Sequence, residues 1–416
     1  MNKNCFRPAD ILLPKEADMS KWAVIACDQF TSQPEYWERV ANYVGDAPST
    51  LNLMLPEAIL GTDQEVAHIK KINQTMVDYL EGGVFTTYEN SLVYIERTLE
   101  NGSIRKGLVG QIVLDEYNFD QGSTSQIRAT EHTDTSRVVP RVRVRKNASL
   151  ELPHVMVLLD DHEKMVIEPI AAVKNQLTKL YDFDLMENGG HITGWLVDGD
   201  HVAAFNDRLE SYSKTVGEKY ADLDGVPMVF AMGDGNHSLA TAKAYFEDMK
   251  KANPGVDLSD HPAAQALVEI GNIHDEAQEF EPIHRVIFDC DVPKLLADLK
   301  ASVCAETGYP LRWFIGEESG ELFLDERLSP LAMGVFQPYL DKYLAENQGE
   351  LDYIHGDQAC ADLAKQDNAI GFLLPSMEKS QLFRGVIADG VLPRKTFSMG
   401  HAHEKRYYLE CHKITK

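Results

Sequence analysis

One junction restricts this chain more than any other feature. The apolar run Pro227-Met228-Val229-Phe230-Ala231-Met232 passes with no spacer into Gly233-Asp234-Gly235-Asn236-His237-Ser238, and a helix-patterned stretch from Leu239 to Lys251 follows at once. A continuous apolar run of this length, bounded by a turn signal, reads as a buried strand. The two glycines let the backbone bend sharply and approach a neighbour without a Cβ in the way. The helix beyond begins with unpaired N–H groups at the positive end of its dipole, where anions bind. Asp234 can orient a hydroxyl or hold a metal, and His237 can move a proton near neutral pH. The same pattern also describes a plain turn whose Asp234 or Ser238 caps the helix. A dinucleotide fingerprint does not fit. Position 238 is Ser where a third glycine belongs, and the region about 20 residues on is the loop Asn253-Pro254-Gly255-Val256-Asp257, not the end of a strand.

Elsewhere helices and strands alternate. Residues 22–26 are a short apolar strand ending at Cys27-Asp28, and Val66, Ile69, Ile72, Met76 and Leu80 recur at helical spacing. Apolar runs at 92–99 and 104–114 flank Asn101-Gly102, a strong hairpin signal. Further strands are expected at 155–159, 267–273 and 283–287, and a helix with Ile170, Val173, Leu177 and Leu180. With a hairpin and no long βαβα series, mixed sheets with packed helices follow, an α+β class.

Charge narrows the partners. Forty Lys+Arg against sixty-five Asp+Glu give a net charge of -25. A nucleic-acid backbone attracts clustered cations, so nucleic acid is not expected as a partner. An anionic small molecule remains compatible if the positive charges gather in one cleft. The six cysteines are scattered with no CxxC pair, as in a reducing compartment. No apolar run spans a bilayer and no secretory signal pattern opens the sequence, so a cytoplasmic protein without a membrane partner is expected.

The junction is also where the sequence resembles a known family, the domain of unknown function 1015 family, whose members carry Asp-Gly-His-His-Arg after a buried strand. The likeness runs from the Phe6-Arg7-Pro8 segment through Asp28, Glu131-His132-Thr133 and the junction to Pro282-Ile283-His284-Arg285, Tyr353-Ile354-His355-Gly356 and Leu392-Pro393-Arg394-Lys395-Thr396. That motif in turn looks like the phosphate-facing motif of the ParB/sulfiredoxin-like fold, which includes kinases of free serine. The resemblance implies a ParB-like lobe over 1–290 and a C-terminal α/β lobe over 291–416. It implies a nucleotide-dependent phosphotransferase acting on a small hydroxyl compound such as free serine, using ATP or ADP with Mg²⁺. Hydrolysis of a nucleotide or phosphate ester at the same turn, and a non-catalytic ligand-binding or regulatory protein, stand as alternatives.

Carried over residue by residue, Asp234, His237 and Glu131 take the catalytic roles. Gly233, Gly235, Asn236, Ser238 and Arg285 face the nucleotide, and Asp28, His132, His284 and Lys395 face the substrate. Two positions depart from the motif: Asn236 replaces its first His and Ser238 its Arg. The second departure removes a cation expected at phosphate, a part that Arg285, Lys243 or Lys395 could supply. The basic residues Arg137, Arg141, Arg143 and Arg145 share one face from 141 onward if that stretch is a strand. They would then hold a phosphate-bearing ligand or pair with surplus carboxylates, including across a homo-oligomer interface. His401 and His403 offer a two-residue chelate, but no third ligand is identifiable and no metal site is assigned.

Overall fold

The computed structural model describes residues 4–31, 33–223 and 227–416. By contact the chain forms two compact units. The first comprises Met1–Ala129, Thr133–Gln278 and His401–Lys416, and the second Thr130–His132 with Glu279–Gly400. Set against the expected 1–290 and 291–416, the strand Phe280–Phe288 falls in the second unit and the last residues return to the first.

The first unit is built on the expected hairpin. Strands Phe85–Thr98 and Ile104–Val113 pair antiparallel, Thr98 opposite Ile104. Gln265–Asn272 lies antiparallel to Ile104–Val113, and Met156–Leu159 runs parallel to Gln265–Asn272. The junction strand, Phe230–Asp234, lies between Met156–Leu159, to which it is antiparallel, and Ile127–Arg128, to which it is parallel, and Tyr117–Asn118 forms the edge beyond. On the other flank Ala9–Pro14 joins Phe85–Thr98 to the C-terminal strand Cys411–Lys413. Parallel and antiparallel pairs in one sheet, with helices packed beside it and no βαβα series, make the chain α+β. Beneath the sheet a core of Trp22, Ile25, Val40, Met76, Val109, Leu267 and Tyr408 is closed to solvent.

In the second unit, Phe280–Phe288 pairs with Glu350–His355 and Ile370–Leu373, and Tyr309–Ile315 pairs with Ile370–Leu373 and Glu318–Leu324. The helices Val292–Val303 and Ala332–Glu346 pack Leu295, Leu299, Phe336 and Leu340 onto this sheet.

Three sequence expectations need correction. Residues 137–145 are not a strand but part of the helix Thr135–Arg145, capped by Asp134, whose carboxylate accepts the Ser136 N–H. Residues 170–180 do not form one helix. The helix Glu168–Val173 stops early, and Lys179–Asp184 is recruited as a strand by His191–Val197. Trp22 closes the short helix Met19–Trp22, and of the expected run Val24–Ile25 forms the paired strand. Among the described residues no helix is long and apolar enough to cross a membrane.

Candidate functional site

The junction strand ends with a register shift. Met232 faces Val157, while Asp234, two residues on, faces Met156, one residue back. Such a bulge redirects the side chain that follows it. Gly235 then adopts φ +80 and acts as the N-cap of the junction helix, Asn236–Ala252. A Cβ there would stand 3.0 Å from Val155 Cα, so both backbone conformation and close approach require glycine. Asp234 Oδ1 accepts the Gly235 N–H at 2.9 Å, and its Oδ2 lies 3.2 Å from Lys405 Nζ. Gly235 has no side chain with which to cap the helix, and among the described residues no cap hydrogen bond occupies the N–H groups of its first turn.

Asp28 lies in the same neighbourhood, with Oδ2 3.7 Å from His154 Nε2 and Oδ1 accepting from Gln29 at 2.9 Å. Burial acts to raise its pKa, but His154, Gln29 and Lys405 outweigh it and hold the carboxyl below its ordinary value. His237 is pushed the other way. Burial first, then Arg137 and Arg141, takes its imidazole down to about 4, so the ring is neutral at neutral pH. Its Nε2 and Asn236 Oδ1 are buried with no hydrogen-bond partner among the described residues. Ser238 Oγ lies 3.3 Å from His154 Nε2, and His154 Nδ1 lies 2.8 Å from the Tyr408 hydroxyl.

Lys405 and Tyr408 reach this place because the C-terminal segment is tied into the first unit. Buried Arg97 donates to the carbonyls of Gly189, His403, Glu404 and Lys405. Trp22 Nε1 donates to Leu409 O at 2.8 Å, and Tyr407–Tyr408 pairs with Val24–Ile25. Beside the junction helix is a cavity of about 170 Å³ with a mainly aliphatic wall, including Leu53, Met54, Val144 and Leu239, and with Ser238, Cys27 and Tyr408 also on it.

The structure therefore brings together Gly233, Asp234, Gly235, Asn236, His237, Ser238 and Asp28. Glu131, His132, His284, Arg285 and Lys395 belong to the second unit. There Glu131 bridges Leu392, and His132 is exposed. His284 is buried, its Nδ1 accepting from Leu374 N at 3.3 Å and its Nε2 2.9 Å from Asp357 Oδ1. Arg285, expected at phosphate, is instead fully buried. Its N–H groups go to Gln337 Oε1 and to the carbonyls of Ile283, His284, Arg394 and Lys395, and its guanidinium lies over the Tyr353 ring. Those contacts use its donors to pin the 394–395 turn, where exposed Lys395 adopts φ +56. Lys243, the other cation considered, is paired with Asp115 and Glu247.

The arginine run pairs with carboxylates of its own unit: Arg141 and Arg137 with Glu57, Arg143 with Glu65, and Arg145 with Glu151. His401 and Glu404 cap a short turn, and among the described residues no group of three or more His, Cys, Asp or Glu could hold a metal. Three members of the cluster were missed from sequence: His154, Lys405 and Tyr408. A histidine directly before an apolar strand was a usable signal for the first.

The family described as protein of unknown function (DUF1015) matches residues 6–413. The chain belongs to it. The DUF1015 match spans both units, so the junction, the Glu131 segment and the Arg285 strand all lie within family sequence. Among curated proteins, none matches the chain. Solved structures give distant likenesses. SbnI with a C-terminal truncation from Staphylococcus aureus shares 8% identity, covering 70% of this chain and 82% of its own, with a TM-score of 0.37. A free serine kinase in complex with AMP shares 12% identity over 73% of this chain and 91% of its own, with a TM-score of 0.37.

Proposed function

We propose that this DUF1015 chain is a nucleotide-dependent phosphotransferase acting on a small hydroxyl compound, of the class to which free serine belongs. The observation that carries the reading is the uncapped first turn of the junction helix, set beside Lys405 and the carboxylates of Asp28 and Asp234. Phosphate oxygens suit such a helix end, where N–H donors and the dipole act together. Phosphoryl transfer asks chiefly for positioning and charge neutralisation. Lys405 supplies the cation that Ser238 lacks and that Arg285, committed to its own unit, does not offer. Asp234 orients or deprotonates the acceptor hydroxyl, and Asp28 binds the substrate. Neutral His237 presents a buried, unpartnered ring nitrogen to the ligand. Mg²⁺ in such sites takes one or two carboxylates plus phosphate oxygens and water, a part that Asp28 and Asp234 fit.

Incubation with ATP or ADP, Mg²⁺ and a pool of amino acids tests the reading, with phosphorylated product followed by mass spectrometry. Product is expected from the wild type and loss of at least a hundredfold in rate from Asp234→Asn, the usual scale for a general base. Nucleotide consumed without a phosphorylated acceptor favours the hydrolase. No nucleotide binding by calorimetry overturns both.

A further inference from the structure

We propose that Ser238 and His154 form a nucleophile–base pair that cleaves carboxylic esters carrying a short aliphatic acyl chain, an activity beyond the phosphotransferase reading. Ser238 Oγ is 3.3 Å from His154 Nε2, within the looser reach expected before substrate binds. The ring is held from its other side by the Tyr408 hydroxyl at 2.8 Å. The network assigns the tautomer. Tyr408 accepts the Cys27 N–H at 3.3 Å and directs its own proton to Cys27 Sγ at 3.2 Å. That leaves the Tyr408 oxygen to accept from His154 Nδ1–H, and the Nε2 lone pair to face the Ser238 hydroxyl. Burial raises both Tyr408 and Cys27, so phenol and thiol keep their protons at neutral pH. Asp28 Oδ2, 3.7 Å from the same Nε2, stabilises the imidazolium once formed.

Two further observations set the substrate class. Ser238 stands on the wall of the 170 Å³ cavity, whose lining is mainly aliphatic. The charged side chains on that wall pair with one another, Arg141 with Glu57 and Arg145 with Glu151. An uncharged alkyl group matches such a space. Gly235 brings no side-chain cap to the junction helix, and in this proposal the amides of its first turn supply the donors for the negative charge that develops on an acyl oxygen.

In the step itself, Ser238 Oγ attacks the ester carbonyl carbon while its proton passes to His154 Nε2. The tetrahedral adduct collapses, the C–O bond to the alcohol breaks, and the alkoxide leaves with that proton. Water, deprotonated by His154, then attacks the acyl-serine. The carboxylic acid departs and the proton returns to Ser238 Oγ.

Labelling with an alkyl fluorophosphonate, located by peptide mass spectrometry, tests this without assuming any phosphotransfer. The wild type is expected to carry the adduct on Ser238 and to hydrolyse p-nitrophenyl butyrate. His154→Gln should slow labelling at least a hundredfold, and Asp28→Asn, a milder change at a half-buried site, several-fold. Tyr408→Phe should shift the pH profile of labelling. Asp234→Asn should label normally while losing phosphotransfer, which keeps the two readings separable. Absence of an adduct on Ser238 in the folded wild type overturns the proposal. So does an unchanged rate in Asp28→Asn and in folded His154→Gln.

Discussion

Gly235 carries two constraints at once, a left-handed backbone and contact with Val155. Gly235→Ala is therefore expected to cost about 1–3 kcal/mol, the scale of a strained φ, read from the midpoint of a urea titration. An unmoved midpoint would mean that the turn relaxes freely. His237 gives a pH dependence with a definite sign. Its folded pKa of about 4 lies below the ordinary 6.5, so the unfolded chain takes up a proton first as pH falls. Its contribution is fully present above pH 6.5 and is lost as pH falls toward about 4. His237→Gln should flatten that limb of the stability curve, and a limb of unchanged slope would count against a neutral buried ring.

At the scale of elements, the helix Thr135–Arg145 is anchored by a buried ion pair. Glu151 meets Arg145 at 2.6 Å, accepts from Leu267 N at 2.7 Å and lies 3.2 Å from His412 Nδ1. Burial opposes its charge, yet Arg145 and His412 hold it at about 2. Glu151→Ala strands the guanidinium and should cost about 3–5 kcal/mol, measured by denaturant unfolding; a loss below about 1 kcal/mol would place the pair in the solvent-exposed class. This helix also shows where sequence reading stops. Arg and Val alternate from 141 to 145 with a strand's period, while Arg137, Arg141 and Arg145 recur at helical spacing. The tie is broken by the Asp134 cap and by carboxylates far along the chain. The Asn101-Gly102 hairpin and the junction were legible because each is specified by adjacent residues. Leu180 fits the helical period of 170–180, but pairing with His191–Val197 overrides it. His154, Lys405 and Tyr408 escaped notice because their partners lie far away in sequence, and no local pattern records such a meeting.

On the scale of the whole molecule, the first unit is discontinuous: 279–400 lie between its body and its last strand. A chain ended after Gly400 lacks Lys405, Tyr408, the Leu409 carbonyl that receives Trp22, and the strand Cys411–Lys413. Such a chain should be cleaved within the first unit by limited proteolysis under conditions that leave the full chain intact. Equal protection of both would show that the segment is dispensable. During translation the same arrangement imposes a delay. At roughly 5–20 residues per second the ribosome needs on the order of ten seconds to add the second unit. Throughout that interval the nascent sheet has an unpaired edge and a core missing Tyr407 and Tyr408, so a chaperone that shields apolar surface would find its target before residues 401–416 emerge.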